Sequence, residues 1–145
     1  MLWQSQVKEL ENRLEKLSES KQPIFNQTYL WDELFTSLTS LTLTEAAQAM
    51  LKEIVPRLKE SEGEIIIAGH CDNMPIPAEL QSKYASTREL SFAKAMAVIS
   101  FLESLGVARE RLVCIGYGDS RPVVDNNSEI NRAKNRRIKI MVNSF

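Results

Sequence analysis

A run of consecutive β-branched residues constrains the fold of this chain most strongly. Residues 64–70 read EIIIAGH, and the run lacks the alternation of apolar and polar side chains that a strand with one wet face shows. A continuous apolar run of this kind favours a strand that is covered on both faces. The sequence therefore predicts a buried strand within a layered fold.

Three further segments have the composition of strands. Residues 23–31, PIFNQTYLW, are rich in aromatic and β-branched side chains, and residues 111–118, RLVCIGYG, form a second buried run. Residues 136–142, RRIKIMV, alternate polar and apolar positions and predict a strand with one wet face. Its apolar positions are Ile138, Ile140 and Val142.

Two helix starts are marked by capping-box spacing, in which Ser or Thr precedes Glu by three residues. Thr42 with Glu45 precedes an apolar stripe of helical spacing, which Pro56 is expected to kink or restart. Ser86 with Glu89 starts a second helix. Both helices lie between predicted strands.

The order of elements is strand, helix, strand, helix, strand, short helix, strand. Helices that alternate with strands imply right-handed crossovers and some parallel pairing. We predict an α+β fold, a two-layer sandwich with a mixed sheet and helices packed on it, formed by residues 23–145 as one domain.

The first 20 residues predict a separate amphipathic helix. Its apolar positions follow coiled-coil spacing over about two heptads, fewer than the three or four that define a coiled coil. Two interpretations remain open: a helix that lies on the domain's own core or frays, and a linker or dimerising helix. The apolar positions are Trp3, Val7, Leu10, Leu14 and Leu17.

The charge balance argues against nucleic acid as a partner. The chain has 18 basic and 19 acidic side chains, so its overall field does not attract an anionic polymer or membrane. Five basic residues lie within residues 132–139, but no aromatic side chains interleave with them to stack bases. We interpret these residues as the solvated face of a strand and its flanking turn, with one or two arginines lining a pocket.

The content of cysteine and histidine argues against a metal or another cofactor. Two cysteines and one histidine cannot complete the usual tetrahedral zinc ligand sets.

His70 and Cys71 are adjacent at a strand end, where neighbouring side chains point to opposite faces, so they do not form a base and nucleophile pair. We predict no enzyme activity. Whether Cys71 and Cys114 form a disulfide depends on their separation, which the sequence does not give.

An acid and a lysine stand out as candidate binding residues. Asp72 ends the predicted strand, and Lys94 falls inside the apolar stripe of the following helix. The lysine either extends along that face to water or reaches a site where the preceding loop crosses the helix start. In the second case Asp72 and Lys94 flank one pocket that suits a ligand with both an amine and a carboxylate. The stripe consists of Leu90, Ala93, Ala97, Phe101 and Leu105.

Several motifs in order resemble those of the OmpA-like peptidoglycan-binding domain family, which includes the C-terminal domain of the flagellar stator protein MotB. They are IIIAGHCDNMPI, LSFAKA, GVARERL, GYGDSRP and RAKNRR, and the resemblance covers about residues 64–142. The Asp-Asn-x-Pro-Ile form is most similar to the MotB-like and type VI secretion branch.

The resemblance implies a βαβαβ-type fold and non-covalent binding of the peptidoglycan stem peptide at its diaminopimelate residue. In the family, an aspartate and an arginine hold the amine and carboxylate of that residue. Asp72 matches the aspartate, and Lys94 stands at the arginine position. Thr87 stands where relatives usually carry asparagine, and Asn73 and Arg136 belong to the matching motifs. The resemblance therefore predicts five residues that bind the stem peptide: Asp72, Lys94, Thr87, Asn73 and Arg136. Lysine lacks the planar fork of arginine, so this exchange is not conservative.

The resemblance also implies a role and a location. We expect a domain that anchors a stator-like or type VI secretion machine to the cell wall, in the periplasm of a Gram-negative bacterium. A segment upstream of this chain would reach a membrane-embedded partner, and the first 20 residues would pair two copies. The alternative is a structural or oligomerisation module that keeps the scaffold and has altered or lost peptidoglycan binding.

Overall fold

A four-stranded mixed sheet forms one layer of the domain. The computed structural model describes residues 4–12 and 23–143. The strand order is β1-β4-β2-β3, with β2 and β3 parallel and β4 antiparallel to both β1 and β2. This sheet confirms the predicted α+β fold with a mixed sheet. The strands are β1 Pro23–Leu30, β2 Ile65–His70, β3 Leu112–Gly118 and β4 Arg137–Asn143.

Four α-helices connect the strands. The two long helices contribute buried residues to the same apolar core as the inward face of the sheet. The helices are α1 Trp31–Leu34, α2 Glu45–Glu60, α3 Thr87–Ser104 and α4 Glu129–Asn135, with short 3-10 turns at Ala78–Leu80 and Arg109–Arg111.

The start of α2 differs from the prediction. Thr44, and not Thr42, caps the helix, because its hydroxyl accepts a 3.0 Å hydrogen bond from the main-chain N–H of Ala47. Thr42 instead belongs to the preceding loop, where its carbonyl accepts from Thr36. The helix is continuous through Pro56. A proline there removes the N–H that would bond the carbonyl four residues earlier, but that residue is exposed, so water can replace the partner.

The start of α3 was predicted correctly, but its buried face was not. Ser86 accepts from the N–H of Glu89 at 3.3 Å, which confirms the cap. The buried stripe is displaced around the helix because the helix lies directly on β2 and β3, where Gly69 and Gly116 leave no room for a Cβ beneath its backbone. The buried residues of α3 are Leu90, Ser91, Lys94, Ala95, Val98, Ile99 and Leu102.

The two faces of the sheet are unlike. The predicted apolar face of β4 is confirmed, since Ile138, Ile140 and Val142 are fully buried in the core. The prediction of a wet opposite face is wrong, because Arg137 is buried and Lys139 is half-buried.

In β2 the prediction of cover on both faces is confirmed. Ile65 and Ile67 are fully buried on the helix side, and on the opposite side Ala68 and His70 are buried and Ile66 is half-buried. That opposite face carries a cavity, described below.

The N-terminal segment is helical over residues 4–12. Val7 is 38% exposed and Leu10 is 57% exposed. Trp3, Leu14 and Leu17 lie outside the described residues, so pairing through this segment and its boundary at residue 20 stay predictions. Among the helices that the structure describes, none combines the length and apolar composition needed to cross a membrane.

Candidate functional site

A cavity of about 250 Å³ opens beside the carboxyl end of β2. The loop that follows β2, the first turn of α3, and parts of α1 and α4 surround it, so the topology brings together segments far apart in sequence. Its apolar wall consists of Trp31, Leu38, Met74, Pro75, Ile76, Pro77 and Leu90, and its polar side chains are Cys71, Asp72, Thr87, Glu129 and Arg136.

An arginine held by two carboxylates lies at the centre of the polar wall. Arg136 donates from Nη1 to Oδ2 of Asp72 at 2.6 Å and from Nη2 to Oε1 of Glu129 at 2.7 Å. Asp72 and Arg136 are 6% and 5% exposed, whereas Glu129 has two thirds of its side chain exposed. Asp72 also accepts from the main-chain N–H of Met74 at 3.1 Å. The arginine fork therefore links a buried acid to an exposed one.

A buried asparagine fixes the backbone that carries Arg136. Asn135 is fully buried, and its amide oxygen accepts from the main-chain N–H of Val123 at 2.9 Å and of Val124 at 3.3 Å. Its Nδ2 donates to the carbonyl of Val124 and to the side chain of Asn126. These bonds tie the connection before α4 to the start of β4. The position of Arg136 is thus set by a saturated hydrogen-bond network.

The charged groups in this cluster shift one another's pKa values. Burial alone lowers the pKa of Arg136, but the hydrogen bonds and charges of Asp72 and Glu129 outweigh it and raise the pKa above its ordinary value. The hydrogen bond and charge of the same arginine lower the pKa of Glu129. Arg132 also donates from Nε to Oε2 of Glu129 at 3.2 Å, so two cations face two anions. An additional cation would bind through the acceptor positions that Asp72 keeps open.

Two buried N–H donors on the cavity wall have no partner among the described residues. They are Nε1 of Trp31, whose side chain is 2% exposed, and Nε of Arg136. A buried donor without an acceptor costs free energy. Both residues line the cavity, so a ligand whose oxygen atoms reached these two nitrogens would satisfy them.

Lys94 does not reach this cavity. It is fully buried, and its Nζ donates to the main-chain carbonyl of Ser40 at 2.6 Å and, more weakly, to that of Ser37 at 3.4 Å. The ammonium also lies 4.3 Å from the ring centre of Phe35 and 4.8 Å from that of Trp31. Burial lowers its pKa to about 8. The structure therefore does not bring Lys94 and Asp72 together on one cavity wall, and Lys94 does not extend to water either.

The other predicted site residues divide between the cavity and the surface. Thr87 lines the cavity, and its hydroxyl donates to Asp119 at 3.2 Å. Asn73 is exposed and is not part of the lining.

Cys71 and Cys114 are both free thiols, and burial raises the pKa of Cys71 to about 12. A thiol that stays protonated is a poor nucleophile.

Sequence reasoning missed Trp31 and Glu129 as cavity residues. For Glu129 a signal was present, because a glutamate seven residues before Arg136 lies two helical turns away on the same face. Trp31 carried no such signal, since the sequence assigned it to the end of a strand and only the fold places it beside the loop after β2. Among the residues that the structure describes, no three His, Cys, Asp or Glu side chains converge as metal ligands.

Comparison with known proteins gives a family match over most of the domain. The model of the OmpA family matches residues 38–136. Motility protein B of Bacillus subtilis is 31% identical over 118 residues, which cover 75% of this chain and 44% of that protein. The peptidoglycan-binding protein ArfA of Mycobacterium tuberculosis is 29% identical over 103 residues, which cover 70% of this chain and 29% of that protein.

A solved structure shares the fold at higher identity. The cell wall anchor of the T6SS from Pseudomonas aeruginosa superposes with a TM-score of 0.72 and 33% sequence identity, and the match covers 83% of this chain and 81% of that one. By contrast, this chain spans less than half the length of each of the two relatives above.

Proposed function

The chain belongs to the OmpA family, and on that premise we propose that its cavity binds the peptide stem of peptidoglycan non-covalently. One observation carries the proposal: the cluster of Asp72, Arg136 and Glu129 lines a cavity that also contains two N–H donors without partners. Such a wall offers acceptors to an amine and donors to a carboxylate. The ligand class that has both groups on one short chain includes diaminopimelate.

The amine of the ligand is assigned to the two carboxylates. Asp72 and Glu129 each receive one bond from Arg136, and a carboxylate has about four acceptor positions. Even with the bond from Met74, Asp72 keeps capacity for an ammonium.

The carboxylate of the ligand is assigned to Arg136 and Trp31. The Nε of the arginine and the indole Nε1 are buried donors on the same cavity wall, and a charged acceptor would turn two unsatisfied groups into charge-assisted hydrogen bonds. In this proposal Arg136 performs the recognition that the family resemblance implied for the helix position now occupied by Lys94. Lys94 instead holds residues 37 and 40 against α3.

The methylene groups of the ligand are assigned to the apolar wall. Leu38, Met74 and Ile76 lie on this wall, and Met74 is 49% exposed. Burial of apolar surface adds about 25 cal/mol per Å² to binding. The loop after β2 would then cover the alkyl chain of diaminopimelate.

We further propose that the domain anchors a larger envelope assembly to the cell wall. The names of Motility protein B, ArfA and the T6SS cell wall anchor describe proteins of motility, peptidoglycan binding and cell-wall anchoring, not enzymes. In this proposal the domain lies in the periplasm, and another part of the same protein or its partner lies in the membrane. The raised pKa of Cys71 agrees with binding in place of covalent chemistry.

Sedimentation with purified sacculi tests this function. The wild-type chain is expected in the pellet, and Asp72→Asn is expected in the supernatant because the amide cannot offer the second anionic acceptor. Asp125→Asn is the matched control, since Asp125 is exposed and outside the cavity. A wild-type chain that stays in the supernatant would overturn the proposal.

A second candidate function is oligomerisation through the N-terminal helix. Val7 and Leu10 lie one turn apart on residues 4–12 and are both exposed, which leaves apolar surface for a second copy. Light scattering of the full chain and of Leu10→Glu tests this idea. A dimeric mass that Leu10→Glu reduces to a monomer supports it, and the same monomeric mass in both samples contradicts it.

A further inference from the structure

A second cavity, of about 240 Å³, lies on the face of the sheet that points away from the helices. Side chains from β2, β3 and β4 and Arg121 line it. The strand alternation separates it from the first cavity, because Ile65 and Ile67 point into the core while Ile66 and His70 point to this face. The consecutive residues Arg136 and Arg137 thus serve opposite sides of the molecule.

Three cations surround this second cavity: Arg121, Arg137 and Lys139. Arg137 is 6% exposed, and its Nη1 and Nη2 donate only to main-chain carbonyls, those of Asn135 at 3.2 Å and Arg121 at 2.9 Å. Within residues 4–12 and 23–143, no carboxylate forms an ion pair with any of the three cations. A buried guanidinium without a counter-ion is costly, so the site favours an anion.

A buried histidine with an unpartnered nitrogen lines the same cavity. His70 is 4% exposed, and its Nδ1 has no hydrogen-bond partner among the described residues. Its ring stacks on Tyr117 with 5.0 Å between ring centres, and the guanidinium of Arg121 lies 4.2 Å from the centre of the Tyr117 ring. Burial, followed by the charges of Arg137, Lys139 and Arg121, lowers the pKa of His70 to about 4. The ring is therefore neutral at pH 7 and has one N–H to donate.

We propose that this cavity binds a small dianion of the phosphate class, held by Arg121, Arg137 and Lys139 and by an N–H donated from His70. Three cations that form no ion pair with a carboxylate of the described residues would be only partly neutralised by a monoanion such as acetate. A phosphate monoester carries about two negative charges at pH 7. The volume suits a small ligand, since it is below that of cavities that enclose drug-sized molecules. This inference does not depend on the proposed binding of peptidoglycan, because the two cavities share no lining residue.

Nuclear magnetic resonance of the imidazole tests the proposal directly. The chain contains one histidine, so its ring signals report this site alone. At constant ionic strength, titration with inorganic phosphate is expected to give a saturating shift, and titration with chloride is not. Bound dianion is also expected to raise the apparent pKa of His70, because it stabilises the imidazolium.

Variants of the two more accessible cations provide the controls. Arg121→Ala and Lys139→Ala are each expected to weaken phosphate binding about tenfold, which corresponds to one charge-assisted hydrogen bond. Lys134→Ala removes an exposed lysine outside the cavity and is expected to leave binding unchanged. A shift that grows linearly with phosphate, or equal binding in all three variants, would overturn the proposal.

Two titrations distinguish a soluble phosphate ligand from a lipid head group. Glycerol phosphate in the same titration tests a soluble ligand, and vesicles of phosphatidylglycerol, compared with vesicles of phosphatidylcholine, test a lipid head group. In either arm binding must be weakened by Arg121→Ala and not by Lys134→Ala. Binding in neither arm and none to inorganic phosphate would refute the site.

Discussion

Two buried cations, Arg136 and Lys94, have opposite surroundings. Arg136 faces two carboxylates on a cavity wall and keeps one donor without a partner among the described residues. Lys94 is enclosed by carbonyl oxygens and aromatic rings, and within the same part of the chain no carboxylate accepts a hydrogen bond from it. We infer from this difference that Arg136 serves recognition, whereas Lys94 serves packing. A buried cation can recognise a ligand when one of its N–H donors remains available to that ligand.

The chemistry of the two side chains explains the division. A guanidinium has five donors in a rigid plane, so Arg136 can bridge Asp72 and Glu129 and still present Nε. An ammonium has three donors on a compact centre, and in Lys94 two carbonyls and the faces of two rings surround it. We infer that the recognition cation of this domain is Arg136.

The largest expected effect follows from removal of the buried acid. Asp72→Ala leaves Arg136 buried with only the exposed Glu129 as a partner, and we expect a loss of about 3 kcal/mol in the free energy of unfolding. Urea denaturation measures it, with Asp125→Ala as the exposed control. A loss below about 1 kcal/mol would show that Arg136 does not depend on this pair and would weaken the contrast with Lys94.

A pH effect of nearly this size is expected at Lys94. Its pKa in the fold is about 8, below the ordinary 10.5, so the unfolded chain binds more protons between these values and stability rises as the pH increases through that window. The gain is at most about 3 kcal/mol.

Subtraction of the profile of Lys94→Met isolates the contribution of this lysine from those of cysteines and tyrosines that titrate in the same range. The unfolding free energies of both proteins are measured from pH 7 to pH 10.5. Parallel profiles would contradict the buried, desolvated state of Lys94.

A smaller effect is expected from the indole donor. Trp31→Phe removes an N–H that has no partner in the described part of the chain, so stability is expected to fall only by the lost packing. If the N–H meets the carboxylate of the ligand, affinity for a diaminopimelate-containing stem peptide falls about tenfold. Calorimetry measures both quantities. Unchanged affinity would remove Trp31 from the proposed site.

The smallest effect is expected at the exposed end of the cluster. Glu129→Gln leaves a hydrogen-bond acceptor for Arg136 but removes a charge whose side chain is 66% exposed, and exposed ion pairs contribute little because solvent screens them. We expect binding to weaken two- to fivefold. Glu53→Gln, on the exposed side of α2, is the matched control, and an equal loss in both variants would exclude a specific role for Glu129.

The sequence predicted the layered fold because local patterns determine most of it. The apolar face of β4 and the cap formed by Ser86 and Glu89 depend on neighbours within a few residues, and both are confirmed. The cap of α2 was assigned to Thr42 because Thr42 and Glu45 have capping-box spacing. The structure selects Thr44, whose hydroxyl accepts from Ala47 and donates to the carbonyl of Glu33 in α1.

The candidate site was less predictable because side-chain direction depends on packing between elements. Lys94 has the charge that the family resemblance requires, yet the loop that contains Ser37 and Ser40 binds its ammonium. Arg136 was among the predicted site residues, but its pairing with Asp72 and Glu129 was not predicted, since the turn from α4 into β4 sets the direction of its side chain. The residue types of the site were readable from the sequence, but the contacts between them were not.

The most direct test compares the two cations in one binding experiment. The affinity of a soluble diaminopimelate-containing stem peptide is measured by calorimetry for wild type, Lys94→Met and Asp72→Asn, with circular dichroism to verify that each variant is folded. If Arg136 and its acids form the site, Lys94→Met binds within about threefold of wild type and Asp72→Asn shows no measurable binding. Loss of binding in a folded Lys94→Met, with binding retained in Asp72→Asn, would contradict the account.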